Sequence, residues 1–76
     1  MIRNWQAGVT RGESNGRRYM VDKSVYSNGR AIKFVAKELG GADYISANLY
    51  DLRSGPQIYP CEMPLEKVLG FLADLR

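Results

Sequence analysis

Residues 27–34 read SNGRAIKF. An Asn-Gly pair here joins two runs in which apolar side chains alternate, and its reading decides the fold. A type I′ hairpin turn needs positive φ at both central residues, which Asn28 and Gly29 suit. With Ser27 facing Arg30, pairing runs outward to Val25 opposite Ile32, Lys23 opposite Phe34, and Val21 opposite Ala36. Directly opposed residues share one face of a sheet. That face then collects Val21, Val25, Ile32, Phe34 and Ala36. Lys23 is the misfit, and its stem is expected to lie over Phe34 with the ammonium reaching water.

A second turn tests the same register. If Gly40-Gly41 is a two-residue loop, Ala36 faces Ile45, Phe34 faces Ala47, and Ile32 faces Leu49. One face stays apolar across three strands. A slip of one residue would bring Tyr44, Ser46 and Asn48 onto it instead.

The flanking elements follow. Residues 2–10 are expected to form a first strand with Trp5, Ala7 and Val9 on one side. RGESNGRR (11–18) reads as a flexible loop that carries Arg11, Arg17 and Arg18, and RSGP (53–56) as a further turn. QIYPC (57–61) is short and contains Pro60, which cannot donate to a ladder, so it is expected at a sheet edge. PLEKVLGFLADLR (64–76) repeats Leu65, Val68, Leu69, Leu72 and Leu75 at helical spacing. Pro64 suits the first helical turn. Glu66 and Arg76 suit the two ends of the helix dipole. Phe71 and Ala73 widen the apolar arc to about 200°, beyond the ~100° stripe that one sheet needs. Either the sheet curls around the helix or Phe71 meets a second subunit.

The expected architecture is therefore α+β: an antiparallel β-meander of four to five strands with one C-terminal α-helix packed on one face. A chain of 76 residues is expected to form a single domain over 1–76. At this size only roughly 60% of the unfolded surface is buried, so the core is thin. No run approaches the ~18 apolar residues of a membrane span. MIRNWQAGVT (1–10) lacks the apolar centre of a signal peptide. Cys61 has no second cysteine to pair with, which agrees with a reducing compartment. The expected location is cytoplasmic, with no membrane partner.

Charge is uneven along the chain. Residues 1–37 hold eight basic and two acidic side chains, a balance of +6, whereas residues 38–76 hold three basic and six acidic, a balance of −3. Such asymmetry fits an anionic partner for the basic half. It fits equally a solvated surface whose two halves attract each other.

Catalytic chemistry finds little material here. The chain has no histidine, which removes Ser-His and Cys-His pairs and histidine-containing metal sites. The acids are scattered, without a DxD or DxE pair, and no glycine pattern matches a phosphate loop. Cys61 in PCEMP reads as a small semi-buried side chain. The chain is expected not to be an enzyme and to use no cofactor.

The face opposite the helix is the remaining candidate. The register places Tyr26, Lys33, Lys37, Tyr44 and Tyr50 there, among small polar groups. An even-length loop would add Tyr59. Tyrosines suit protein interfaces, and beside lysines they suit single-stranded nucleic acid. Exposed tyrosines are also ordinary fillers of a solvated sheet. The arginine forks of Arg17 and Arg18 can grip phosphates or carboxylates. The partner-binding candidates are therefore Arg17, Arg18, Tyr26, Lys33, Lys37, Tyr44 and Tyr50, with Phe71 as the candidate contact of a homodimer.

In element order alone, strands followed by a helix, the chain is similar to the coactivator-type single-stranded DNA-binding fold, in which a curved sheet meets nucleic acid and helices form a dimer. The expected function is a small non-catalytic module for protein–protein interaction, an inhibitor or accessory protein of phage or mobile-element type. The alternative is a single-stranded nucleic-acid-binding protein that uses the Tyr/Lys face.

Overall fold

The computed structural model describes residues 5–52 and 55–76. Five strands, β1 (Gly8–Ser14), β2 (Arg17–Tyr26), β3 (Ala31–Glu38), β4 (Tyr44–Leu52) and β5 (Gly55–Pro60), precede one helix, α1 (Leu65–Ala73). The strands form one antiparallel sheet in the order β1-β2-β3-β4-β5. The α+β meander read from the two turns is the observed fold.

The register about the Asn28-Gly29 turn is as expected. The ladder, however, stops at the Tyr26–Ala31 pair. Ser27, expected to face Arg30 as a strand pair, turns to φ 54° instead. Val25 pairs with Ile32, Lys23 with Phe34 and Val21 with Ala36. Asn28 has φ 57° and ψ 38°, and Gly29 has φ 90°. The Arg30 amide closes the turn on the Ser27 carbonyl at 3.2 Å. The β3–β4 register also matches, with Ala36 opposite Ile45 and Phe34 opposite Ala47. Its loop, however, spans residues 39–43 rather than Gly40-Gly41 alone. The Glu38 amide still reaches the Asp43 carbonyl at 2.8 Å, while the Asp43 amide turns to Glu38 Oε1 at 3.3 Å. Gly41 lies against the Glu38 carboxyl, where a side chain would collide.

Two expectations at the N-terminal end need correction. The first strand begins at Gly8, and residues 2–4 of the expected strand lie outside the described residues. RGESNGRR is not a loop. Asn15 and Gly16, at φ 53° and 76°, make a second two-residue hairpin turn, with Ser14 paired to Arg17 and Glu13 to Arg18. Arg11, Arg17 and Arg18 therefore sit on strands.

One face of the sheet holds the core. Tyr19, Val21, Ile32, Phe34, Ala36, Ile45, Ala47 and Leu49 meet Val68, Phe71 and Leu72 of α1, all buried. Val25 shares this face but is 44% exposed. The reason is length: a nine-residue helix is about 14 Å long, against about 33 Å for the ten residues of β2.

The buried stripe of α1 is also rotated from the expected one. Leu65 and Leu69 face out, and Phe71 turns in. Phe71 is 2% exposed. Its ring meets Tyr19 edge-on at 4.9 Å and stacks over Phe34 at 6.5 Å. The wide apolar arc that suggested a second subunit at Phe71 is thus met within the chain itself, where the core encloses the ring. Pro64 caps the helix in an extended conformation rather than entering its first turn.

The helix ends at Ala73, and the chain then crosses to β1. The amides and carbonyls of Glu13 and Arg76 exchange hydrogen bonds at 2.9 Å each. Arg76 thus bonds its backbone to the outer side of β1 instead of serving the helix dipole. Leu75 and Trp5 close over Gly12, where an added Cβ would lie 3.0 and 2.9 Å from them. Ser14, fully buried, donates its hydroxyl to the Phe71 carbonyl at 2.7 Å. Lys23 is corrected too. It is 5% exposed, and its ammonium donates to the Trp5 carbonyl at 2.7 Å rather than reaching bulk water.

At the other edge, the Cys61 amide donates to the Ser46 carbonyl at 2.9 Å. The continuous register then aims the amides of Tyr59 and Gln57 inward at β4. Pro56 and Pro60 fall at outward positions, where a missing N–H breaks no ladder bond.

Candidate functional site

The face away from α1 is built by alternation, because successive side chains of a strand point to opposite sides. With Phe34, Ile45 and Val21 fixed inward, Lys33, Lys37, Tyr44, Tyr50, Tyr26 and Arg18 must point outward. The pairings set their neighbours. Arg11, Met20, Lys37 and Tyr44 form one row across four strands. Ser24, Lys33, Asn48 and Tyr59 form another, and Tyr26, Ala31, Tyr50 and Gln57 a third.

The exposed apolar and aromatic groups concentrate on this face. Tyr26 is 54% exposed, Tyr59 49%, Tyr44 44% and Tyr50 37%. Tyr50 and Tyr59 touch edge-on, with centroids 5.5 Å apart. A shallow depression of about 270 Å³ lies between Val9, Met20, Asp22, Val35 and Lys37. The β2–β3 register alone places Met20 here. Val9 was not read as a site residue, and it becomes one only once β1 is known to be a strand paired with β2.

Arg17 does not belong to this group. It has the parity of Tyr19 and Val21 and points to the helix side. There its guanidinium lies 3.7 Å from Asp43 Oδ2 and 3.9 Å from Glu38 Oε1. Asp43 is the centre of this second cluster. It accepts from Lys67 Nζ at 2.7 Å and from the Tyr19 hydroxyl at 3.0 Å. The Lys67 hydrogen bond, helped by that from Tyr19, holds the Asp43 carboxyl below the ordinary aspartate range. Burial, with the Asp43 carboxylate beside it, pushes the Tyr19 phenol above its usual value. This cluster ties α1 to the sheet, and its members spend their charges on one another. Lys67 also lies 5.9 Å from the centre of the Tyr44 ring.

Seven candidate binding residues thus divide. Arg18, Tyr26, Lys33, Lys37, Tyr44 and Tyr50 share the open face, and Arg17 belongs to a structural ion cluster. Cys61 is half-buried, with Asn48 Nδ2 at 4.0 Å from its sulfur. Among the described residues no helix is long and apolar enough to cross a membrane. Against this geometry, no family model, curated protein or solved structure matches the chain.

Proposed function

We propose that this protein is a non-catalytic binding module that takes a protein partner on its open sheet face, as a small inhibitor or accessory protein of phage or mobile-element type. The observation that supports this most is the grouping of four exposed tyrosines, with Met20 and two lysines, on the face that α1 leaves uncovered. Tyrosine brings a large rigid contact area at low entropy cost, and binding energy concentrates on a few such anchors. The test uses a Tyr26→Ala/Tyr44→Ala variant beside the parent chain. The partner captured by the parent should bind the variant at least ten-fold more weakly, about 1.4 kcal/mol. Unchanged affinity for a folded variant refutes the reading.

A second reading is supported by the pairing of Lys37 with Tyr44 and the presence of Lys33 and Arg18 on the same face. These residues suit the phosphates and bases of a single strand. Three phosphate contacts would give a log–log salt slope of about −2. Labelled single- and double-stranded oligonucleotides decide it, since no binding at low salt removes this reading. A homodimer through the helix would now rest on Leu65 and Leu69, 43% and 45% exposed, and light scattering at high micromolar concentration tests it.

A further inference from the structure

The two edges of the sheet are closed differently. On β5 the outward amides fall at Pro56, Ile58 and Pro60, so two of the three donors are removed. β1 has no such device. The mutual hydrogen bonds of Glu13 and Arg76 show that Glu13 points its backbone outward. The unbroken β1–β2 register then aims the N–H and C=O of Arg11 and Val9 outward as well. No described residue takes these four groups. An edge of this kind is a template for an added strand, and Arg76 already occupies its first position.

The flanks of the edge define what would fit. On the open-face side, Arg11, Arg18 and Arg76 surround a notch of about 250 Å³ with Glu13 as its one acid. On the helix side, Trp5 and Thr10 line a second hollow of about 290 Å³, where the indole N–H donates to the Thr10 hydroxyl at 2.7 Å. We propose that the β1 edge binds an extended peptide segment of a partner, antiparallel to β1, with an acidic side chain beside Arg11 and an apolar one beside Trp5. The alternation of a strand delivers both at once, because the residue opposite Arg11 and its neighbour point to opposite faces.

The experiment follows amide exchange by NMR in the full chain. The probe is a capped eight-residue peptide of alternating valine and threonine with a glutamate as its second residue, so that it fits beside Arg11 without overlapping Arg76. It is used beside its lysine counterpart. In the free protein the Val9 and Arg11 amides should exchange rapidly, and Thr10 and Gly12 slowly. The glutamate peptide should slow Val9 and Arg11 at least ten-fold. The lysine peptide should bind about five-fold more weakly, in line with cross-strand charge pairs, and Arg11→Glu should reverse that order. A chain extended past Arg76 by the same residues tests the edge without relying on peptide affinity, since its second added residue would lie opposite Arg11. Protection of Val9 and Arg11 in the free protein, or its appearance with rising protein concentration alone, overturns the proposal. So does a lack of protection in the extended chain. Equal protection by both peptides overturns the acidic preference. Failure of the open-face reading leaves these outcomes unaffected, because none of its tyrosines takes part.

Discussion

Replacing Phe71 by alanine separates a core residue from an interface residue. Phe71 is 2% exposed and encloses itself between Tyr19 and Phe34. Truncating a buried phenylalanine costs about 3–5 kcal/mol in transfer and cavity terms. The edge-on contact with Tyr19 adds about 0.5–1.5 kcal/mol beyond the burial of area. A chain of this size has roughly 4–11 kcal/mol of total stability. Phe71→Ala should therefore remove a large part of it. With a urea dependence of about 1–1.5 kcal/mol per molar, the unfolding midpoint should fall by at least about 2 M. Trp5, the single tryptophan, packs against the core and reports the transition by fluorescence. Leu69→Ala is the control on the same helix: Leu69 is 45% exposed, and its loss should cost under about 1 kcal/mol. The reasoning is refuted if the Phe71→Ala midpoint stays within about 0.5 M of the parent while sedimentation shows a dimer turning into a monomer.

Asp43, held below its usual 3.8, contributes stability that is present above that pH and lost as the pH falls through its folded value. Asp43→Asn should lower the melting temperature at pH 7, and the gap to the parent should close below pH 4. Tyr19, raised above 10.0, contributes below pH 10 and loses that contribution as the pH rises through its folded value, so Tyr19→Phe should flatten the alkaline limb of the same curve. Gly12→Val forces Leu75 and Trp5 off β1 and should cost about 1–3 kcal/mol, with faster exchange of the Glu13 amide that Arg76 protects. Gly29→Ala, at φ 90°, should cost about 1–2 kcal/mol in a urea titration.

The sheet was legible where alternation and turn chemistry coincide. Ile32, Phe34 and Ala36 alternate with Lys33 and Lys37 beside an Asn-Gly turn, so one register satisfies both. The Asn15-Gly16 turn carries the same dipeptide, yet of β1 only Gly8–Thr10 fell within the expected first strand, and its run to Ser14 was read as a loop. Its inward positions are Gly8, Thr10, Gly12 and Ser14, which show no apolar period. The space above them is filled from elsewhere, by Trp5 before the strand and by Leu75 after the helix. A strand whose core is supplied by distant residues leaves no hydrophobic trace of its own. The same packing explains Lys23 and Arg17. Lys23 looked solvent-bound until the Trp5 carbonyl was found above it, and Arg17 looked mobile until Asp43 and Glu38 were brought beside it. The open face followed from register alone for Tyr26, Lys33, Lys37, Tyr44 and Tyr50, whereas Arg18, read on a loop, falls on it because β2 begins at Arg17.

The tyrosines of that face do not carry equal weight. Tyr50 and Tyr59 touch each other across β4 and β5, and such a pair is worth about 0.2–1 kcal/mol to the sheet itself. Folding therefore accounts for them without a partner. Tyr26 has no ring contact among the described residues, and at 54% it is the most exposed tyrosine. Its pairing residue, Ala31, gives it nothing comparable to pack against. Tyr26→Thr should accordingly leave the urea midpoint within experimental error, since threonine suits a strand equally well. Tyr50→Ala should lower it measurably. If the face binds a partner, Tyr26→Thr should weaken that complex without touching stability. The reverse result, a destabilised Tyr26 variant with undiminished binding, would mean that all four rings serve the sheet.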